Sequence, residues 1–176
     1  MTKEETVITK WLDDRANKAC EPFEERVDEF RARVLECDEM AEALPDLKDY
    51  ILNDGESKEW HSLKKRVDIA SEDRVIFMDI ISDFNKELAA IRQPIQAHKS
   101  AIINETNHVI AAKAGLLKQK ESGRDMGLHE KQFQAQMHQL INVMANAGIP
   151  EELQAGLKKV LLHIDNYELL LKTISF

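Results

Sequence analysis

The feature that most constrains this sequence is a run of mostly apolar residues between Trp60 and Leu116, which recur at alternating spacings of three and four. Such spacing averages close to one α-helical turn, so these side chains form one stripe along a helix, and a partner helix covers a stripe of this kind in a coiled coil or bundle. The stripe consists of Trp60, Leu63, Val67, Ala70, Arg74, Phe77, Ile81, Phe84, Leu88, Ile91, Ile95, His98, Ile102, Glu105, Val109, Ala112 and Leu116. The sequence therefore predicts a long helix over about 57–120.

The composition favours an all-α fold. The chain has 176 residues, 43% of them hydrophobic, which is enough to bury a core if the helices fold back on each other. Aromatic residues make up only 6%, which suits helices that pack through aliphatic side chains better than a sheet sandwich. We predict an elongated helical bundle, in which shorter helices pack on a long central coiled-coil-like helix within a single helical domain, 1–176.

Proline and glycine residues divide the chain into five predicted helices. Pro22 is placed to start a new helix or to kink an existing one, and Pro150 starts the last helix. Pro94 lies inside the long stripe without shifting its phase, so any interruption there is a kink rather than an end. The predicted helices cover residues 2–19, 22–44, 57–120, 128–147 and 150–175.

The distribution of charge argues against nucleic-acid and membrane binding. The net charge is −8, and residues 1–60 contain 18 acidic and 9 basic side chains, against 14 and 15 in the remainder. The longest basic run, Lys64-Lys65-Arg66, is short for a nucleic-acid surface. No apolar stretch approaches the ~18 residues of a spanning helix, and the first eleven residues lack the apolar core of a secretory signal. We expect a soluble, cytoplasmic protein that contacts neither membrane nor nucleic acid directly.

The motifs of common enzyme classes are missing from the sequence. The glycines do not have the spacing of a phosphate-binding loop, and no serine lies in a glycine-rich nucleophile turn. Cys20 and Cys37 fall on an apolar stripe of the N-terminal segment, where a free thiol behaves as a small hydrophobic side chain. We therefore expect a protein with neither catalytic activity nor a cofactor.

Three polar residues, Arg74, His98 and Glu105, occupy positions of the long stripe. One polar residue in such a stripe commonly fixes the register and oligomeric state of a coiled coil. The alternative is a ligand or metal site, because Glu105 and His108 have the Glu-x-x-His spacing of di-iron helical bundles. Such sites require a second motif of the same kind, which this sequence lacks, so we expect no metal site.

The length of the apolar stripe makes protein binding the favoured function. An apolar strip that the chain does not cover itself is an association site. We predict a non-enzymatic interaction or assembly protein that forms a homodimer through part of the 60–116 stripe. The residues expected to bind the partner are Ile81, Phe84, Leu88, Ile91, Ile95, His98, Ile102 and Glu105.

An alternative function rests on the acidic outer face of the second predicted helix. Closely spaced carboxylates could imitate a row of phosphates and occupy a basic cleft of a nucleic-acid-binding protein. This face consists of Glu21, Glu24, Glu25, Asp28, Glu29, Glu36, Asp38, Glu39 and Glu42. Arg26, Arg31 and Arg33 interleave with these acids and favour the simpler interpretation of a solvated helix face.

Overall fold

The structure is a computed structural model that describes residues 3–53, 55–123 and 125–165, with side chains from Thr6 onwards. All the regular structure in these residues is helical, which confirms the all-α prediction. The helices are α1 (Lys3–Glu42), α2 (Leu47–Leu52), α3 (Ser57–Glu121), α4 (Gly127–Asn146) and α5 (Glu151–His163). None of these helices is both long and apolar enough to cross a lipid bilayer.

One continuous helix, α1, replaces the two predicted over residues 2–19 and 22–44. Pro22 lies inside α1 and Pro94 inside α3, although a proline within a helix removes a backbone donor. Both prolines are exposed, whereas Cys20 and Val27 beside the first one, and Leu88 before the second, are buried. The apolar side chains before and after each proline lie on the same face of the helix. Their burial on this face offsets the lost hydrogen bond.

The last helix is shorter than the sequence predicts. A helix was expected over 150–175, but α5 ends at His163 and Ile164 is extended, with φ −76° and ψ 102°. The side chain of Ile164 is buried in this conformation, so the core favours leaving the helix here. The rest of the expected helix, 166–175, lies outside the described residues.

The chain divides into two compact units, and α1 and α3 contribute to both. Unit 1 contains the chain as far as Lys18 and again from Arg92. In its core, Ile8 and Leu12 of α1 pack with Ile102 and Val109 of α3 and with buried residues of α4 and α5. An ion pair between Lys99 and Asp13, with 2.7 Å from Nζ to Oδ1, also joins α3 to α1.

A tight turn between α4 and α5 completes unit 1. Gly148 has φ +70°, which favours glycine because a Cβ atom strains this conformation. The amide of Gly148 donates to the carbonyl of Ala145, and the amide of Ile149 donates to that of Met144. These bonds end α4 in the way typical of a helix C-terminus, and they let Ile149 enter the core.

Unit 2 contains residues 19–91 and consists of α2 and parts of α1 and α3. Its contacts show that the two long segments are antiparallel, because Phe23 meets Phe84 while Phe30 meets Phe77. The core contains Cys20, Val27, Ile81 and Leu88. The predicted packing of shorter helices on a long central one is therefore confirmed, with α3 against α1 in both units and against α4 in unit 1.

Candidate protein interface

Most of the predicted partner-binding stripe is covered by the same chain. Ile81 and Leu88 are buried against α1 in unit 2, with Phe84 and Ile91 half-buried beside them. In unit 1, Ile102 is fully buried, Ile95 packs against the same core, and His98 is half-buried. The homodimer through this stripe remains a prediction, and the exposed large apolar side chains of α3 lie outside the stripe.

Two of the polar stripe residues have partners within the chain. The Nε atom of Arg74 lies 2.6 Å from Oδ1 of Asp38 on α1, and this hydrogen bond raises the pKa of the guanidinium above its ordinary value. Glu105 accepts from Nε2 of Gln139 on α4 at 3.3 Å. Both side chains thus link α3 to the helix that packs on it, as expected for polar residues that set the register of a seam.

The Glu105 and His108 pair lies in unit 1. The Nδ1 atom of His108 is 3.4 Å from Oε2 of Glu105, while the other carboxylate oxygen is occupied by Gln139. Among the residues described, no three or more histidine, cysteine, aspartate or glutamate side chains are grouped to hold one metal ion. The arrangement is a local pair on one helix face.

The carboxylates of the acidic face differ in their surroundings. Asp28 pairs with Arg31, Glu29 with Arg26 and Arg33, and Asp38 with Arg74. The hydrogen bond from Arg26 is the main cause that lowers the pKa of Glu29. The members that are exposed, with no ion pair to another described residue, are Glu21, Glu25, Glu36, Glu39 and Glu42. The remaining member, Glu24, is half-buried.

Unit 2 has exposed apolar side chains on α3, beside the face that packs against α1. Ile69 and Ile76 are 50% and 54% exposed, and Ile80 is half-buried. These positions are seven and four residues apart, so they share one face of the helix, which we call the lateral stripe. The spacing of Ile76 and Ile80 was visible in the sequence, but their exposure depends on how α1 packs and could not be predicted.

A groove of about 460 Å³ adjoins the lateral stripe between α1 and α3 of unit 2. Cys37 and Ala70 lie at its buried floor, since both are at most 9% exposed. The other residues that line it are Arg33, Glu36 and Met40 on α1, and Arg66, Ile69, Asp73 and Phe77 on α3. The groove thus combines apolar side chains with charged side chains from both helices.

Sequence reasoning also missed Lys113, which is only 8% exposed in unit 1. Its Nζ atom donates to the carbonyl of Leu162 at 3.1 Å and lies 4.8 Å from the ring centroid of Phe133. Burial is the main cause that lowers the pKa of Lys113 below its ordinary value, and nearby Asp165 partly opposes it. Lys113 therefore forms a hydrogen bond to the last turn of α5, and its ammonium group is largely shielded from solvent.

We expect the stability of the protein to depend on pH through Lys113. Between the lowered pKa of the folded chain and the ordinary lysine pKa of about 10.4, the unfolded chain binds more protons, so stability rises with pH. The free energy of unfolding of the wild type should therefore rise relative to that of Lys113→Met as the pH increases towards about 10.4. Urea unfolding measures both, and a difference that stays constant or falls would contradict the assignment.

Comparisons with protein-family models, curated proteins and solved structures give no match to this chain.

Proposed function

We propose that this chain is a non-enzymatic interaction or assembly protein that binds a helical protein segment through the lateral stripe and the adjoining groove of unit 2. The observation that carries the proposal is the exposure of Ile69 and Ile76, which lie on one face of α3 next to an apolar groove. Isolated exposed apolar residues are ordinary, but an aligned set beside a groove is typical of a binding surface.

The contact between α1 and α3 in unit 2 leaves its aromatic side chains only partly buried, and this supports the same proposal. Two antiparallel helices cover each other on one side only, so Phe23, Phe30, Phe77 and Phe84 contact one another but none is fully buried. Of these residues, Phe77 lines the groove, so a third helix there would bury more of its ring, at about 25 cal/mol per Å² of apolar area. Because the surface to be buried is apolar, a helix is favoured as the partner over a small polar ligand.

Photocrosslinking from within α3 tests this proposal. We place benzoylphenylalanine at Ile76 and, in a control, at Ser82, which is exposed on another face of the same helix. Irradiation of cells that contain either variant should crosslink a protein to position 76 well above the level at position 82. Equal labelling at the two positions would contradict the proposed binding surface.

The acidic face is a second candidate, which the exposed carboxylates of α1 favour. A benzoylphenylalanine at Glu39 tests it, since Glu39 is exposed among the carboxylates that have no described ion pair. If a basic partner binds there, crosslinks should form at position 39 and disappear as salt rises, because salt screens exposed charges. Crosslinks at position 76 should depend less on salt, since apolar side chains form much of that surface.

A further inference from the structure

The charges at the edge of the groove restrict what can fill it. Arg66 and Asp73 lie three residues before and four residues after Ile69, on the same side of α3. Both are exposed, and neither has an ion pair with another residue that the structure describes. About 10 Å of helical rise separates them, so they do not pair with each other. On α3, the groove edge therefore presents one positive and one negative side chain at a fixed separation, while Arg33 and Glu36 line the groove on α1.

This arrangement is complementary to itself. In an interface between two identical chains related by a two-fold axis, contacts come in pairs. If residue i of one chain contacts residue j of the other, then residue j of the first chain contacts residue i of the second. A two-fold axis that crosses α3 between Ile69 and Ala70 makes the two copies of the helix antiparallel. It brings Arg66 of each copy opposite Asp73 of the other, so both charges find a partner of opposite sign.

The same axis places a large side chain over a small one. Ile69, which is 50% exposed, comes opposite Ala70 of the other copy, which lines the groove and is only 7% exposed. The groove is open to solvent and has a volume of about 460 Å³, so it has room for an isoleucine side chain. Both charge and shape are thus satisfied by one operation, without an additional partner.

We propose that the groove of unit 2 is occupied by α3 of a second copy of this chain, in an antiparallel dimer centred between Ile69 and Ala70. This inference rests on the proposed function and names the partner. It differs from the dimer expected from the sequence, because the contact uses Ile69 and the groove around Ala70 rather than the stripe residues from Ile81 to Glu105.

Charge reversal tests the inference. We expect the wild type to be a dimer by sedimentation velocity, and Arg66→Glu and Asp73→Arg each to weaken dimerisation by at least about tenfold, since each creates two like-charge contacts. An equimolar mixture of the two variants should form a heterodimer, visible by native mass spectrometry, because each altered side chain then meets its opposite. The double variant Arg66→Glu/Asp73→Arg should again form a homodimer for the same reason.

Control variants and alternative outcomes make the test decisive. Lys64→Glu and Asp68→Arg reverse charges on another face of α3 and should leave the dimer unchanged, while circular dichroism verifies that all variants are folded. A wild type that is monomeric at every concentration, or a dimer indifferent to charge at positions 66 and 73, would overturn the inference. The proposed function would survive that result if position 76 still crosslinked to a different protein, and would fail if it crosslinked to none.

Discussion

Replacing Leu140 by alanine is expected to lower the free energy of unfolding by about 2–5 kcal/mol. Leu140 is fully buried in the core of unit 1, where it belongs to the same cluster as Leu12, Ile102 and Leu157. The substitution removes buried methyl groups and leaves a cavity among side chains from four helices, which relax only partly. Urea unfolding followed by circular dichroism measures the change.

Leu128→Ala provides a matched control on the same helix. Leu128 lies in α4 but is 76% exposed, so its truncation should change the free energy of unfolding by no more than about 0.5 kcal/mol. Both substitutions replace leucine by alanine within α4, and Leu128 lies in its first turn, where helix propensity contributes less than it does at Leu140. Equal effects at positions 128 and 140 would contradict the packing of α4 against the other helices of unit 1.

The long stripe of α3 could be predicted from the sequence because helical periodicity is a local property. The spacing from Trp60 to Leu116 requires only that one face of a helix be covered, and α3 begins at Ser57 and ends at Glu121 as that spacing indicates. Periodicity does not say which helix provides the cover. Only the packing of Phe23 and Phe30 on Phe84 reveals that α1 of the same chain does so in unit 2.

The features that were not predicted depend on contacts between distant parts of the chain. The local cost of Pro22 favoured a helix boundary, but the burial of Cys20 and Val27 on either side outweighs it. Lys113 lies between two alanines and resembles any solvated lysine in the sequence, until Phe133 of α4 and Leu162 of α5 surround it. The groove is formed by residues of both α1 and α3, so it depends on how the two helices pack and not on a local sequence pattern.

Thr106 has an unusual environment for a polar residue. It is fully buried on α3, and its hydroxyl oxygen finds no hydrogen-bond partner among the described residues. A buried polar group without a partner costs about 1–3 kcal/mol, because it gives up its hydrogen bonds to water. The hydroxyl therefore opposes folding at a position where the surrounding surface favours an apolar side chain.

Thr106→Val is consequently expected to raise the free energy of unfolding by about 1–2 kcal/mol. Valine keeps the branched shape at Cβ, so helix propensity and rotamer freedom change little and the measured difference reports on the hydroxyl. Thr9→Val is the matched control, because Thr9 is also buried but its hydroxyl donates to the carbonyl of Thr6 at 3.0 Å. That substitution should lower the free energy of unfolding by about 0.5–1.5 kcal/mol. If both variants were destabilised alike, the hydroxyl of Thr106 would have a hydrogen-bond partner in solution, and the side chain would contribute to the stability of α3 instead of opposing it.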